Sequence, residues 1–327
     1  MRFNLIIDGN FILHRNINYL SKTGTIYGDL EESLHQTIKR LAKWYSFENI
    51  YFVSDSRKPS WRKQLYPEYK ATRTKNSAID WEFAYNAYGS FKDAAPAEHR
   101  KVQVFEHNHV EGDDWIAFLM RKSNEKGIST LIASADGDLH QLLTYKLNPN
   151  IVNVQWREMG GREKVFVPQG FQLLLHELRK EQSDIFAVNH ADEFLRLVAQ
   201  WNKTTDLIEE VDSEKKILVK LLHGDAGDNI KTAYKKTNER GVVRGIGEKG
   251  AHVIWEMYKA EYPEAVDFRQ DDWISRVIPM IATHKKVSVE EIEHAVTQQL
   301  NLNRSLVLLD EKYIPSKLLE RLTVEKL

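Results

Sequence analysis

Apolar residues follow two alternating patterns along the first half of this chain. Short, almost continuous apolar runs, typical of buried strands, occupy residues 3–8, 49–54, 102–105 and 129–133. The intervening sequence is typical of helices, with apolar positions at helical spacing over 29–45, aromatic and alanine-rich sequence over 80–100, and a third segment over 113–126. Strands that alternate with helices predict an α/β fold, in which a mostly parallel central sheet is flanked by helices and joined by right-handed crossovers.

The second half of the chain has a different pattern. From about residue 165 the sequence is typical of helices, with glycine- and aspartate-rich turns over 223–250 and no convincing pair of strands. Met159, Gly160 and Gly161 mark a boundary. We therefore expect an α/β domain over residues 1–160 and a helical region over residues 161–327.

Composition narrows the class of protein only in part. With 327 residues, of which 42% are hydrophobic, the chain can bury a substantial core. Its 46 basic and 47 acidic residues nearly cancel, but they are segregated along the sequence. The absence of cysteine excludes disulfides, thiolate metal sites and cysteine nucleophiles. The apolar run Leu5–Ile7 is too short for a signal peptide, and no run of about 18 apolar residues occurs, so we expect a cytoplasmic protein.

Acidic residues follow several of the predicted strands. Asp8 ends the first strand, Asp55 follows the second, and Asp136 and Asp138 follow the fourth. The carboxyl ends of parallel strands share one edge of a sheet, where ligands collect, so we expect these side chains to lie close together. Further acids occur at predicted turns and helix starts, namely Glu111, Asp113, Asp114, Asp225 and Asp228.

Such a set of carboxylates is typical of a metal site. Like charges in one cleft raise each other's pKa, and divalent cations stabilise the ionised form. Oxygen ligands fit Mg²⁺ or Mn²⁺, whose usual partner is phosphate. Any one aspartate after a strand is more often a helix cap or a turn residue, and Asp225 and Asp228 can cap a single turn. The occurrence of all five acidic groups together favours the metal site.

Basic and aromatic residues alternate just after Asp55. Residues 57–75 contain one acid, Glu68, among seven basic residues and three aromatic rings: Arg57, Lys58, Arg62, Lys63, Lys70, Arg73, Lys75, Trp61, Tyr66 and Tyr69. This pattern suits a surface that grips a phosphate backbone and stacks unpaired bases, although a solvated helix face has the same composition. Its position beside Asp55 favours a basic arch, over about 57–100, that binds the same phosphodiester as the metal site.

A glycine-rich segment follows Asp228. Gly245, Gly247, Lys249 and Gly250, placed before an apolar helix, have the form of a helix-hairpin-helix motif over about 223–258. Its backbone N–H groups can bind phosphate, whereas an ordinary glycine turn is the alternative for so short a pattern. Nearby basic residues favour phosphate binding: Lys231, Lys235, Lys236, Arg240 and Arg244.

Other conspicuous residues have structural interpretations. No pair of histidines has the spacing of a zinc site, so His107, His109, His140 and His223 are interpreted as structural. Trp115 and Trp156 are expected in the core. No phosphate-binding GxxxxGK[ST] loop and no strand-borne GxGxxG occurs, which leaves nucleotide-binding chemistry without support.

Taken together, these segments resemble the 5′-nuclease superfamily, which includes flap endonucleases, the 5′-nuclease domain of bacterial DNA polymerase I, and especially stand-alone bacteriophage 5′-exonucleases and phage RNase H. The motifs lie in order along nearly the whole chain: IDGN at 7–10, YPEYKATR at 66–73, VEGDD at 110–114, SADGD at 134–138, GDAGDN at 224–229, GIGEKG at 245–250 and NRSLVLLDEKYIP at 303–315.

The resemblance implies a Mg²⁺-dependent, structure-specific 5′ nuclease that hydrolyses phosphodiester bonds at 5′ ends and 5′ flaps, including those of RNA primers, during DNA replication. Two ions would be bound, with Mn²⁺ able to replace Mg²⁺. By the family pattern the first ion is held by Asp8, Asp55, Glu111, Asp113 and Asp136, and the second by Asp138, Asp225 and Asp228. Asp114 lies in the motif as the least secure ligand. Asp136 and Asp138 are assigned as catalytic.

The resemblance also implies how nucleic acid is bound. Lys70 matches an arch lysine that polarises the scissile phosphate, and the neighbouring Tyr69 can stack on the terminal base. Arg62 and Arg73 would hold phosphates of the single strand. The helix-hairpin-helix-like motif would hold duplex phosphates through Lys231, Arg244, Gly245, Gly247 and Lys249.

Branched or 5′-ended DNA and RNA–DNA hybrids are therefore the expected partners, without a membrane. Replication proteins, such as a single-strand-binding protein or a polymerase, are further candidates. We expect a monomer, because no long heptad pattern occurs. If the chain is phage-encoded, its compartment is the cytoplasm of the bacterial host.

Two segments depart from the compact phage enzymes. Asp138 and Asp225 are 87 residues apart, and the extra sequence lies at about 165–212. Residues 231–244 likewise lengthen the interval between GDN and GIG, which bears on how duplex DNA is held and on the balance between exonuclease and flap cleavage.

Two other classes of protein remain as alternatives. A PIN-like endoribonuclease shares an acidic sheet edge but needs neither the GIGEKG segment nor a long arch. A non-catalytic DNA-junction-binding protein needs the basic elements but not both SADGD and GDAGDN.

Overall fold

The chain divides into two compact units. The structure, a computed structural model, describes residues 2–24, 26–143, 151–159, 162–171, 208–237 and 243–324. Unit 1 comprises Met1–Ser60, Lys75–Val211 and Leu309–Leu327. Unit 2 comprises Trp61–Thr74 and Asp212–Leu308. The sequence-based boundary near residue 160 falls within unit 1, and most of the extra segment at 165–212 lies outside the described residues.

Unit 1 is built on a seven-stranded sheet. Its strands are β1 (Phe3–Asp8), β2 (Ile50–Val53), β3 (Val102–Phe105), β4 (Ser129–Ala133), β5 (Asn153–Met159), β6 (Arg162–Pro168) and β7 (Ile208–Val211). In the spatial order β3-β2-β1-β4-β5-β6-β7, the first five strands are parallel. β6 pairs antiparallel with β5, and β7 pairs parallel with β6. The expected α/β fold with a mostly parallel sheet is confirmed.

Helices cover both faces of this sheet. Among its described residues, unit 1 has the helices α1 (Gly9–Thr23), α2 (Ile26–Ala42), α4 (Trp81–Glu98), α5 (Gly112–Glu125) and α10 (Ser316–Val324). Phe3, Leu5 and Ile7 of β1 share one core with α1, α2 and α4, while Asn4 on the opposite face donates a 2.9 Å hydrogen bond to Ser123 of α5. Because both faces of β1 are buried, its sequence is almost continuously apolar.

Unit 2 is mainly helical. It contains α3 (Trp61–Leu65), α6 (Ser213–His223), α7 (Glu248–Glu261), α8 (Asp272–Lys285) and α9 (Val289–Val307), with one antiparallel pair, β8 (Lys235–Thr237) and β9 (Val243–Gly245). Asn303 of α9 is fully buried and donates hydrogen bonds to the carbonyls of Leu221 (2.8 Å) and Lys231 (2.9 Å). Asn303 is the first residue of the NRSLVLLDEKYIP motif, and its side-chain amide therefore fixes α9 to the end of α6.

The structure corrects the prediction that no strands pair beyond residue 165. β6 continues to Pro168 and pairs with β7, and β8 pairs with β9. Two features hid these strands. β7 is a four-residue edge strand, IEEV, that is half polar, and all three residues of β8 are exposed, so neither has a recognisable period.

The predicted basic arch at about 57–100 contains two helices in the described chain. The five-residue α3 belongs to unit 2, whereas α4 belongs to unit 1. Trp115 and Trp156 are buried, as expected. None of the described helices is long and apolar enough to cross a membrane.

Two residues of β6, two positions apart, should differ sharply in their contribution to stability. Phe166 is buried with Leu143 and Val211, so Phe166→Ala should lower the free energy of unfolding by about 3–5 kcal/mol. Lys164 forms an exposed ion pair with Glu209 at 2.8 Å, so Lys164→Ala should cost less than about 1 kcal/mol. Urea denaturation of both variants measures the difference. Similar losses would contradict the burial of Phe166 at the inner end of β6 and the solvent exposure of the Lys164 ion pair.

Candidate metal centre and nucleic-acid interface

Three predicted metal ligands lie at the carboxyl-terminal edge of the sheet in unit 1. β2, β1 and β4 are adjacent and parallel, with Asp8 paired to Val53 and Ile7 paired to Ala133. Asp8 therefore ends the central strand, while Asp55 and Asp136 follow the strands on either side. Asp55 and Asp136 are exposed, and Asp8 is partly buried behind them.

Hydrogen bonds fix Asp8 against the SADGD loop. Asp8 caps α1 by accepting from the Phe11 N–H at 2.9 Å, and its second oxygen accepts from the Ser134 hydroxyl at 2.6 Å. The same hydroxyl oxygen accepts from the Asp136 N–H at 3.1 Å. The Asp136 carboxylate in turn accepts from the Asp138 N–H at 2.8 Å. Ser134, which sequence reasoning did not single out, therefore links Asp8 to Asp136.

Burial raises the pKa of Asp8 to about 6. The charges of Asp55 and Asp136 raise it further, while the hydrogen bonds from Phe11 and Ser134 act in the opposite direction. The strand-end acids therefore repel one another at neutral pH, as expected for carboxylates whose counter-charge is a cation.

The start of α5 is held against Asp55. The Gly112 N–H donates a 2.5 Å hydrogen bond to the Asp55 carboxylate, which brings the VEGDD motif to the same edge of the sheet. Glu111 and Asp114 are largely buried, whereas Asp113 is partly exposed. The residues predicted to bind the first ion therefore lie either at strand ends or at the start of α5, which Asp55 holds in place.

Close packing explains the glycine in the IDGN motif. A Cβ atom on Gly9 would lie 2.2 Å from the Tyr88 hydroxyl oxygen and 2.6 Å from the Val53 carbonyl oxygen. Any side chain here would displace α4 or β2 next to Asp8. Tyr88 lies within an aromatic- and alanine-rich helix, and no sequence signal distinguished it from other core residues.

The GDAGDN motif forms a compact loop in unit 2. Asp225 accepts hydrogen bonds from the N–H groups of Gly227 (2.7 Å) and Asp228 (3.2 Å), and it pairs with Lys220 at 2.7 Å. Burial acts to raise the pKa of Asp225, but the hydrogen bond and charge of Lys220, with the backbone donors, lower it below its usual value. Asp225 is therefore held ionised.

The YPEYKATR motif binds this loop within the same unit. Asp228 is buried and accepts from the Tyr69 hydroxyl at 3.2 Å and from the Arg73 guanidinium at 2.5 Å. The Lys70 N–H donates to the Asp228 carbonyl at 2.9 Å, and Lys70 has a left-handed backbone with φ of 54°. Two motifs that are about 160 residues apart in sequence thus form one local structure.

Two residues predicted to contact nucleic acid are buried. Arg62 is 1% exposed, lies 4.5 Å from the Trp61 ring and donates a hydrogen bond to the Leu306 carbonyl at 2.9 Å. Tyr69 is 3% exposed. Their interior positions do not agree with the phosphate-binding and base-stacking roles expected of them, because the alternation of basic and aromatic residues does not distinguish a surface arm from a buried anchor. Lys70 is partly exposed, and Arg73 is exposed while paired with Asp228.

A group of partly exposed rings and exposed cations in unit 1 was predicted only in part, through its cations Arg57 and Lys75. The Lys75 ammonium lies 4.8 Å from the Tyr85 ring and 5.7 Å from the Trp81 ring, and Arg57 lies 5.5 Å from Tyr85. His14 contacts Trp81 with ring centroids 5.2 Å apart. Trp81 and Tyr85 lie in the segment that was recognised only as aromatic and helical.

The glycine-rich segment of unit 2 forms a concave surface at the start of α7. A cavity of about 480 Å³ is lined by residues that include Thr232, Arg244, Gly245 and Gly247. A Cβ atom on Gly245 would lie 2.4 Å from Thr232, whereas Gly247, the residue before α7, faces open space and makes no side-chain cap. Lys249 and Arg244 are exposed here, Lys231 pairs with Glu68 at 2.8 Å, and Arg240 lies outside the described residues.

Comparison with known proteins agrees with this geometry. Residues 4–169 match the 5′-3′ exonuclease family, N-terminal resolvase-like domain. A 5′-3′ exonuclease of Buchnera aphidicola is 30% identical over 170 residues, which cover 49% of this chain and 55% of that protein. A 5′-3′ exonuclease of Mycoplasmopsis pulmonis is 23% identical over 78% of this chain and 67% of its own length. A thermostable DNA polymerase I of Thermus thermophilus is 23% identical over 64% of this chain and 25% of its own.

Solved structures show the same fold over nearly the full length. The D15 protein of T5, co-crystallised with metal ions, aligns with 98% of this chain and 97% of its own at a TM-score of 0.62 and 19% identity. The bacteriophage T5 D15 flap endonuclease in a complex with DNA and metal ions aligns over the same shares at a TM-score of 0.55 and 19% identity. The chain spans about half the length of the Buchnera relative and a quarter of the Thermus polymerase. The family match covers half of the residues, including the strands and loops that carry the acidic edge. This chain therefore belongs to the 5′-3′ exonuclease family.

Proposed function

We propose that this chain is a divalent-metal-dependent, structure-specific 5′ nuclease that hydrolyses phosphodiester bonds at 5′ ends and 5′ flaps of DNA. The observation that carries the proposal is the placement of Asp8, Asp55 and Asp136 at the ends of three adjacent parallel strands. Family membership supports the reaction class. The fold shared with a flap endonuclease crystallised with DNA and metal ions supports the substrate.

The donor set at this edge fits a hard divalent cation. Asp8, Asp55, Glu111, Asp113 and Asp136 offer only carboxylate oxygens, which suit Mg²⁺ and also Mn²⁺. Burial raises the pKa of Asp8, and the like charges of Asp55 and Asp136 raise it further, so ionisation of Asp8 is costly at this edge. A bound ion would offset that cost, polarise the scissile phosphate and lower the pKa of a water molecule.

The protein's own groups would hold the acids in place for this ion. Ser134 links Asp8 to Asp136, and Gly112 orients Asp55, so the ligands are positioned by backbone and hydroxyl donors. Asp114 is 1% exposed in the first turn of α5, which favours a structural role for it.

The assignment of a second ion to Asp138, Asp225 and Asp228 stays a prediction. Within unit 2, Asp225 is already paired with Lys220 and Asp228 with Arg73. Lys220 lowers the pKa of Asp225 and so keeps that carboxylate ionised. Arg73 gains a function in holding Asp228, in addition to the phosphate contact predicted from its sequence motif.

Nucleic acid would be bound by exposed cations and rings rather than by Arg62 and Tyr69. Around the start of α7, Arg244 and Lys249 flank the uncapped N–H groups after Gly247, an arrangement that suits duplex phosphates. In unit 1, the partly exposed Trp81 and Tyr85 offer rings for unpaired bases beside Lys75. We propose this pair in place of Tyr69 as the stacking surface. RNA–DNA hybrids and replication proteins remain proposed partners, and the protein is proposed to act as a monomer.

Removal of one acid should separate cleavage from binding. Asp136→Asn should slow cleavage of labelled 5′-flap DNA in Mg²⁺ by at least about a thousandfold, since several kcal/mol of metal-dependent stabilisation are lost. Asp138→Asn should act in the same direction. Affinity for the flap, measured in EDTA by fluorescence anisotropy, should change by less than about threefold, or under 1 kcal/mol. Asp93→Asn, which alters an exposed acid on α4, is the matched control.

The same assay separates the alternatives. A 5′ nuclease cuts the flap in Mg²⁺ and stops in EDTA, while a PIN-like endoribonuclease prefers single-stranded RNA and a junction-binding protein cuts neither. Full activity of Asp136→Asn on the flap would overturn the metal assignment.

Lys70 should act on turnover. Its left-handed backbone calls for asparagine as the replacement, because asparagine tolerates that conformation. Lys70→Asn should raise the barrier by roughly 2.7–4 kcal/mol if the ammonium acts like an oxyanion-hole donor. Single-turnover cleavage at saturating DNA measures this loss, with the exposed Lys63→Gln as control. An unchanged rate would remove Lys70 from the chemistry.

Asp8 should destabilise the metal-free protein as pH rises. Its folded-state pKa of about 6 lies above the ordinary value of 3.8, so the cost of ionising it in the fold is absent below pH 3.8 and fully present above pH 6. Asp8→Asn removes this cost and retains a capping oxygen. The free energy of unfolding of the Asp8→Asn protein, relative to that of wild type, should therefore rise by about 2 kcal/mol between pH 4.5 and pH 8. Urea denaturation in EDTA measures it, and a difference independent of pH would contradict the burial of this charge.

A further inference from the structure

Two histidines and a glutamate meet in unit 1 at the opposite end of the sheet from the acids. His99 follows α4 and precedes β3, so it lies at the amino end of a strand that is parallel to β2, and β2 is followed at its carboxyl end by Asp55. His35 reaches the same place from α2, and Glu98 is the last residue of α4.

The donor atoms of the three side chains converge. His35 Nδ1 lies 2.7 Å from His99 Nε2 and 3.3 Å from Glu98 Oε2. All three donor atoms lie within 4.8 Å of one another. Both rings are buried, at 3% and 7% exposed, whereas the Glu98 side chain is 52% exposed. Nitrogen donors therefore come from the interior and the carboxylate from the solvent side.

The surrounding structure holds the rings in place. His35 packs against Phe91 of α4 with ring centroids 4.8 Å apart at 67°. The His99 N–H caps α4 by donating to the Ala95 carbonyl at 2.9 Å. Burial, with the charges of His35 and Lys39, lowers the pKa of His99, while Glu98 acts in the opposite direction. Neutral imidazole is the form that binds metal.

We propose that His35, Glu98 and His99 form a binding site for a zinc-type divalent cation that joins α2 to the end of α4. Two imidazoles and one carboxylate are a zinc donor set, and they are poorly suited to Mg²⁺. Zinc–nitrogen bonds of about 2.0–2.1 Å place tetrahedral ligands about 3.3 Å apart. The His35–Glu98 distance already matches, and the two rings must separate by about 0.6 Å.

Coordination replaces the hydrogen bond between the rings. The ring that carries the bridging hydrogen takes its other tautomer, so that both facing nitrogens donate lone pairs. Water reaching the site from the exposed Glu98 side completes the fourth position. The ion would stabilise α4, whose Tyr88 packs over Gly9, next to Asp8. The site is independent of the proposed nuclease reaction.

Titration of the full chain with Zn²⁺ tests the proposal. Excess Mg²⁺ is present throughout, so that the carboxylate edge is occupied by Mg²⁺. Wild-type protein should bind one Zn²⁺ by calorimetry, and its melting temperature should rise by several degrees, because the ion binds only the folded state. His35→Gln should abolish this binding, and Glu98→Gln should weaken it about tenfold or more. His252→Gln, which alters an exposed histidine 4.0 Å from Glu248, should bind like wild type.

Nitrogen NMR of the wild-type rings keeps the test decisive if His35→Gln fails to fold. Zn²⁺ should shift Nδ1 of His35 and Nε2 of His99 together, with one ion per chain. The proposal is overturned if these two nitrogens do not move at saturating Zn²⁺, or if a folded His35→Gln protein binds the ion as tightly as wild type does.

Discussion

Mutual repulsion of carboxylates at the end of a buried strand is the constraint on which the rest of unit 1 depends. β1 must be apolar to pass between two layers of helices, yet its last residue, Asp8, carries a charge that is partly buried and close to Asp55 and Asp136. The fold answers with backbone donors and the Ser134 hydroxyl, which orient these acids. Carboxylates held close together in this way suit a protein that recruits a cation.

Unit 2 handles its acids in the opposite way. Lys220 and Arg73 pair directly with Asp225 and Asp228, and the lowered pKa of Asp225 reflects that compensation. Similar motif residues therefore have different electrostatic states, although the sequence presents them as equivalent acidic clusters. Asp225 and Asp228 are paired with basic side chains of their own unit, while Asp8 is buried near the like charges of Asp55 and Asp136.

Local patterns predicted the sheet well where strands are buried on both faces. β3 and β4 begin and end at the predicted residues, because a continuous apolar run needs no knowledge of distant contacts. β5 was not predicted, and prediction was wrong for β6 to β9, whose pairing depends on partners rather than on their own composition. The candidate site followed the same division: the sequence placed the acids correctly at strand ends, but it did not indicate that Arg62 and Tyr69 are buried. The partner of Arg62, Leu306, is 244 residues away, a distance that no local pattern reports.

The division of the chain between the units also constrains the order in which the protein can form during synthesis. Trp61–Thr74 belongs to unit 2, whose other residues begin at Asp212, so this early segment leaves the ribosome long before its permanent neighbours exist. Unit 1 is closed in turn by a late segment, where Leu309 donates its N–H to Gln141 and accepts from Arg121. Contacts of such sequence separation carry a large loop-closure cost and slow folding. Neither unit has its full complement of contacts until translation has passed residue 309, and until then the basic, aromatic stretch is a nascent segment exposed to chaperones and proteases.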